Sequence, residues 1–196
     1  MPTSARLAPG ATLDPLDLTA VTGSPIAVPD PDRLVHLQFR RFAGCPVCNL
    51  HLRSVAVRHD EIAAAGIREV AVFHSPAEEL RQYAAGLPFA LIGDPDKRLY
   101  TRFGVESARR ALLDPRVVPT IVRAVARSAV RIALRRDQPP ARKPHGGRIG
   151  LPADFLVDST GRLAAAKYGE HAYDQWSVDE LLALARQARP AAGDAR

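Results

Sequence analysis

The order in which strand-like and helix-like stretches follow one another constrains this chain more than any other feature. Residues 34–39, LVHLQF, alternate apolar and polar side chains of β-favouring types. Pro46 stands where a helix can begin, since its missing N–H is no loss at a first helical position, and Val47, Leu50, Val55 and Ile62 share one sector of a helix that Gly66 can terminate. Residues 68–74, REVAVFH, read as a buried strand. Ser75 then offers an N-cap, Pro76 a first helical residue and Glu78 the other half of a capping box, with Gly86 and Pro88 as the stop. FALI (89–92) is a third short strand, and a short helix is expected from Asp94 and Pro95 to about Gly104. Near the C-terminus ADFLVD and RLAAAKY flank a turn at Ser159, Thr160 and Gly161 and make a hairpin. Ser177 and Glu180 form a second capping box and open a last helix that runs to about Ala188. Residues 11–30, with Gly23 at a turn, supply a hairpin in front. Strands alternating with helices and closed by a hairpin and a helix give an α/β sandwich around a mixed sheet. With 196 residues, 46% of them hydrophobic, the whole of 1–196 is expected to form one domain with a sizeable core.

The net charge of +6 is not spread evenly. Residues 107–150 hold eleven Lys and Arg against Asp114 and Asp137, which is +9 and leaves −3 for the remainder, so the basicity belongs to one segment and gives no reason to expect nucleic acid. Within it Arg123, Arg127, Arg131 and Arg135 recur every four residues beside Val, Ile and Ala. That spacing predicts an amphipathic helix covering the fold with its basic stripe in solvent; an acidic partner or an anionic membrane is the alternative reading. The stretch RRDQPPARKPHGGRIG (135–150) reads as a loop that ends beside Pro152 and could gate access to what lies there. No apolar run reaches the ~18 residues of a membrane span and no secretory pattern opens the chain, so the cytoplasm is the expected compartment.

The two cysteines of the chain, Cys45 and Cys48, both lie in FAGCPVCNLHL. In a reducing compartment so close a pair is more often catalytic, redox-sensing or metal-binding than structural. Cys45, at the turn before the helix with Arg40 and Arg41 beside it, is expected to be the acidic thiol, because helix N-termini and nearby cations bring a Cys from ~8.5 to ~3.5–7.5. Cys48, one turn on, can attack a mixed disulfide on Cys45. An inert buried pair and a metal centre are the competing readings; the second needs four ligands, which His51 alone does not complete, so no metal and no cofactor are expected.

The stretches FAGCPVCNLHL, DPDKRLYTRFGV, GLPADFLVDSTGR and KYGEHAYDQWSVDELL resemble peroxiredoxin-like proteins of the alkyl hydroperoxide reductase/thiol-specific antioxidant (AhpC/TSA) family, within the thioredoxin superfamily. The resemblance implies a thioredoxin-like fold. Its mixed central sheet is flanked by helices, with the hairpin at 11–30, a basic helix-and-loop insertion at 107–150 and a cis-proline, Pro152, opening a strand beside the cysteines. It also implies a thiol-dependent redox protein, peroxiredoxin-like or a thiol-disulfide oxidoreductase. Cys45 is then the nucleophile and Cys48 the resolving thiol, supported by Pro46, Arg40 and Arg41. The substrate would be a peroxide or a disulfide, the reductant a dithiol system such as thioredoxin or glutathione, and a homodimer is allowed. The Thr that peroxiredoxins carry three residues before the attacking Cys, and the Pro four before that Thr, correspond to Phe42 and Gln38, so disulfide exchange is expected to outpace peroxide reduction. The buried acid of the thioredoxin strand would fall at Phe39. Hairpin geometry brings the return from Gly161 to the cysteine end, where His171 could serve the leaving thiolate as proton donor, or else stand in a solvent-exposed loop. His36 and Gln38 read as packing or edge residues and Trp176 as the anchor of the last helix. A redox-sensing binding protein acting through the basic insertion is the alternative function, and a redox-inert scaffold the third reading.

Overall fold

A computed structural model describes residues 5–84, 86–105, 114–135, 137–140 and 143–188. Strands β1 (Leu16–Thr19) and β2 (Pro25–Val28) pair antiparallel as a front hairpin. The main sheet comprises β3 (Leu34–Phe39), β4 (Ile67–Phe73), β5 (Ala90–Gly93), β6 (Ala153–Val157) and β7 (Leu163–Tyr168), in the order β5-β4-β3-β6-β7. The first three run parallel and the last two antiparallel, which is the mixed sheet of a thioredoxin-like fold. Parallel neighbours need a crossover, and α1 (Pro46–Val57) with α2 (His59–Ala64) provides it between β3 and β4. Next come α3 (Ala77–Arg81), α4 (Arg98–Arg102), a 3-10 turn at Pro115–Val117, α5 (Val118–Ala133) and α6 (Val178–Ala188).

The period-two alternation of β3 divides the interior. Val35, Leu37 and Phe39 join Val70, Val72 and Phe155 in a cluster roofed by the front hairpin and by Tyr100 and Phe103. The even positions face α1. There Leu34 and Leu156 pack with Ile62, Trp176 and Leu181, so Trp176 anchors the last helix as its amphipathic size suggests. Ala71 and Phe73 pack with Cys45, Cys48 and Leu52. Burial of these side chains follows from the sheet being covered on both faces.

Several local expectations change. The helix expected from Pro46 to Gly66 is two helices, because Arg58 leaves helical geometry (φ −107°, ψ 20°) and spends its guanidinium on Glu61 and Asp179. Ser75 does not cap a helix: its Oγ accepts the Ala43 N–H at 3.0 Å, and α3 starts at Ala77 with no side-chain cap. Asp94 does the capping instead in the next turn, its carboxylate accepting the N–H groups of Arg98 and Leu99 at 3.0 and 2.8 Å. The Ser177–Glu180 box forms as expected. Pro152 departs from the expected cis geometry: its peptide bond is trans, and Val28–Pro29 is the one cis bond among the described residues. The Pro152 carbonyl is used to accept the Gly169 N–H at 2.9 Å, which ties the start of β6 to the end of β7. Helix α5 packs on α1, yet Ala124 is its one buried residue and its valines stay in solvent. Of the Val, Ile and Ala side chains read as the covering face, Ala124 and Ile121 pack on the fold and the valines do not. Arg109, Arg110, Arg136 and Arg142 of the basic segment lie outside the described residues. No described helix is long and apolar enough to cross a membrane.

Candidate active site

After β3 the chain must turn to start α1, and it does so through Phe42, Ala43 and Gly44, with the Cys45 N–H bonded to the Phe42 carbonyl at 3.2 Å. Gly44 sits at φ +74°, and a Cβ there would come 2.6 Å from Tyr83 Cε1, so backbone conformation and space both require glycine. Cys45 is the N-cap of α1 and Pro46 its first residue. Cys45 Sγ accepts the Cys48 N–H at 3.5 Å. Both cysteines are reduced and buried.

The acidity of the pair differs from what the sequence suggested. Burial, and then the hydrogen bond and charge of Cys48, push Cys45 well above the ordinary thiol range. The hydrogen bond from Cys45 pulls Cys48 down to about 5 against its burial, with the charge of Arg41 and a backbone hydrogen bond at Arg41 assisting. One thiol proton is thus lost easily and the second is held, as in any closely coupled pair. The reason lies in the turn: the sequence places Cys45 at its tip, but Phe42 and Ala43 fold over it, so it is enclosed along with Cys48. Arg41 is itself buried and stays charged, because both sulfurs act on it against the cost of its desolvation. Its Nε has no hydrogen-bond partner among the described residues.

Arg40, the other expected support, turns away. Its guanidinium donates to Gln38 Oε1 and Asp154 Oδ1, both at 2.7 Å, and to the Phe39 carbonyl at 3.2 Å. It belongs to a buried polar network that the sequence did not reveal. Strand register sets His36 opposite Glu69 and Gln38 opposite Asp154. The His36 ring reaches Glu69 Oε2 at 2.9 Å and Asp154 Oδ1 at 3.4 Å, while Gln38 donates to Glu69. Burial opposes a charge on His36, yet the two carboxylates raise it to about 9. Asp154 is held well below the usual carboxylate range by Arg40 and His36 despite its burial. The acids of this network are Glu69 and Asp154; Phe39, at the position where the thioredoxin acid was sought, packs in the opposite cluster. His51, one turn beyond Cys48, is pulled well below its ordinary value by burial and then by Arg40, so its ring is neutral.

The loop before β6 passes over the site as anticipated. Arg148 stands 5.8 Å from the centre of the Phe42 ring, and a Cβ on Gly150 would lie 3.3 Å from Arg41 Cγ. The His145 carbonyl is 3.1 Å from His74 Nδ1, on the residue whose N–H bonds the Arg41 carbonyl. His171 is not brought to the sulfurs. Its Nδ1 accepts the Tyr173 N–H at 3.3 Å, and it is Ala172 and Tyr173 that pack in the cysteine cluster, since the turn at 169–174 rotates His171 outward toward Asp114 and Asp174. Beside α1 lies a cavity of about 450 Å³ lined by Asn49, Leu52, Arg53, Tyr83, Ile132 and Arg135 among others. Among the described residues no group of three or more His, Cys, Asp or Glu could hold a metal ion.

Residues 54–171 match the model of the AhpC/TSA antioxidant enzymes, a stretch that begins after the two cysteines. The fold is similar to that of a peroxidoxin, BcpB from Mycobacterium tuberculosis (TM-score 0.67, 17% identity, 94% of this chain and 100% of that one). It is also similar to a peroxiredoxin-like protein from Aquifex aeolicus (TM-score 0.62, 11% identity, 95% and 91%). A putative thiol:disulfide interchange protein DsbE from Chlorobium tepidum superposes at TM-score 0.58 with 17% identity over 91% of this chain and 99% of that one. At such identities these structures establish the fold. No curated protein matches the chain.

Proposed function

This chain belongs to the AhpC/TSA antioxidant enzyme family, and from that membership we propose that it is a thiol-disulfide oxidoreductase or thiol-dependent peroxidase whose redox centre is the Cys45–Cys48 pair. The observation that carries the proposal is a buried guanidinium, Arg41, acting on two reduced thiols that share one helical turn. A cation enclosed in this way stabilises a thiolate at neutral pH, which is the species that attacks disulfides and peroxides. The acidity of the pair favours Cys48 as the attacking sulfur and Cys45 as the resolving one, the reverse of the order suggested by the turn.

In disulfide exchange the Cys48 thiolate displaces one substrate sulfur as a thiolate and forms a mixed disulfide. Cys45 then loses its proton and attacks Cys48, releasing the second substrate thiol and closing the Cys45–Cys48 disulfide. With a peroxide, the thiolate takes the terminal oxygen, an alcohol or water departs, and Cys45 displaces water from the sulfenic acid. An external dithiol, such as thioredoxin or a glutathione system, restores both thiols in either case. Phe42, at the position of the family Thr, is apolar and packed and cannot hydrogen-bond a peroxide oxygen, so exchange is expected to outpace peroxide reduction. The loop at 143–150 must move for either substrate to enter.

The decisive experiment measures peroxide and disulfide turnover with a dithiol reductant, side by side, for the wild type and the Cys45→Ser and Cys48→Ser variants. Turnover that needs both cysteines supports the proposal. Single-hit oxidation without turnover makes the protein a sensor, and no oxidation makes it a scaffold. Alkylation at mildly acidic pH followed by peptide mass analysis should label Cys48 first; labelling of Cys45 first returns the roles to the order read from the sequence.

A further inference from the structure

We propose that α5 is a peripheral membrane-binding surface that lays the protein on anionic lipid headgroups. The helix presents Val118, Val122, Val125 and Val130 at 49%, 62%, 50% and 58% exposure, large for branched apolar side chains, while Ala124 alone is buried. At 100° per residue Val125, Val118, Ala129 and Val122 open an apolar arc that continues through Ala126 to Val130, and Arg123 and then Arg127 follow at its far edge. Val118–Ala133 contains no acidic residue. Two of its neighbouring arginines are occupied, Arg116 with Asp114 and Glu170, and Arg131 with Asp137. Arg123 and Arg127 have no acidic partner among the described residues.

An apolar stripe bordered by uncompensated arginines has the chemistry of a helix lying in a lipid interface: the valines enter the headgroup–acyl boundary and the guanidinium groups meet lipid phosphates. A second copy of the chain is a poorer occupant. A two-fold contact over the whole arc would gather the arginines at its edge from both copies with no carboxylate on the helix to offset them. The +9 charge of residues 107–150, against −3 for the rest of the chain, orients this helix toward a negative surface before contact. Because α5 packs directly on α1, docking would place α1, whose N-cap is Cys45, one helix layer from the bilayer surface.

The test is co-sedimentation of the full chain with vesicles of phosphatidylcholine alone and of phosphatidylcholine mixed with phosphatidylglycerol. Binding to the mixed vesicles, weak on the neutral ones and declining as salt is added, is expected. Arg123→Gln with Arg127→Gln should weaken partitioning by roughly fivefold per arginine. Val122→Ala with Val125→Ala should weaken it at unchanged charge, and both double variants should keep the wild-type circular dichroism spectrum and melting temperature, since all four side chains are exposed. Absence of binding to both vesicles, or binding that neither double variant changes, overturns the proposal. So does a concentration-dependent dimer that Val122→Ala with Val125→Ala dissolves, which would make the stripe an interface between copies.

Discussion

Replacing Arg41 by Met isolates the electrostatic origin of thiol reactivity. With Cys48 at about 5, roughly nine-tenths of it is ionised at about pH 6. The Cys45 hydrogen bond is the largest cause of that depression and Arg41 supplies the principal charge. Loss of an opposite charge in contact raises such a group by about 1–3 units. A rise of about 2 would leave roughly a tenth of Cys48 ionised at about pH 6, so alkylation there should slow about ninefold while the rate at alkaline pH stays the same. The assay is the pH profile of iodoacetamide modification, followed by mass analysis of each cysteine, with near-UV circular dichroism to confirm the fold. Arg41→Lys keeps the charge without the planar fork and should fall between the two. An Arg41→Met profile with the wild-type midpoint would refute the reasoning and leave the Cys45 hydrogen bond as the source of acidity.

Three further outcomes are expected. His36 has a folded value of about 9 against the ordinary histidine value of 6.5, so its contribution to stability is fully present below the lower value and is lost as pH rises through the upper one. The gap corresponds to roughly 3 kcal/mol, and urea midpoints of wild type and His36→Gln should converge across that window; parallel pH curves would disprove it. Gly44→Ala should cost about 1–3 kcal/mol, because it combines a left-handed backbone position with a clash on the Tyr83 ring, and an unchanged unfolding midpoint would contradict this. Lys143→Gln with Arg148→Gln should slow attack on an anionic disulfide such as glutathione disulfide in a salt-dependent way and leave a neutral disulfide unaffected; equal slowing of both would mean the loop acts through shape.

The sequence by itself determined the elements and the position of the dithiol. Apolar alternation in LVHLQF, Pro46 at a first helical position and the Ser177–Glu180 box are local signals, readable because strand pleat, helix capping and proline geometry depend on residues a few positions apart. The requirement for glycine at Gly44 comes from its contact with Tyr83, which is distant in sequence. The tertiary structure decided everything that rests on pairing across the fold. Arg40 and Arg41 are adjacent and alike in sequence, yet one faces the sulfurs and the other is bound to Asp154 on β6, because neighbouring residues at a strand end point to opposite sides. His36, Gln38, Glu69 and Asp154 become one network only through the register of β3 with β4 and β6. The acidity of the cysteine pair follows from the contact of the two thiols with each other and with Arg41 inside the core, and the outward turn of His171 and the exposure of the α5 valines from how the elements pack, a sum that no single stretch of residues contains.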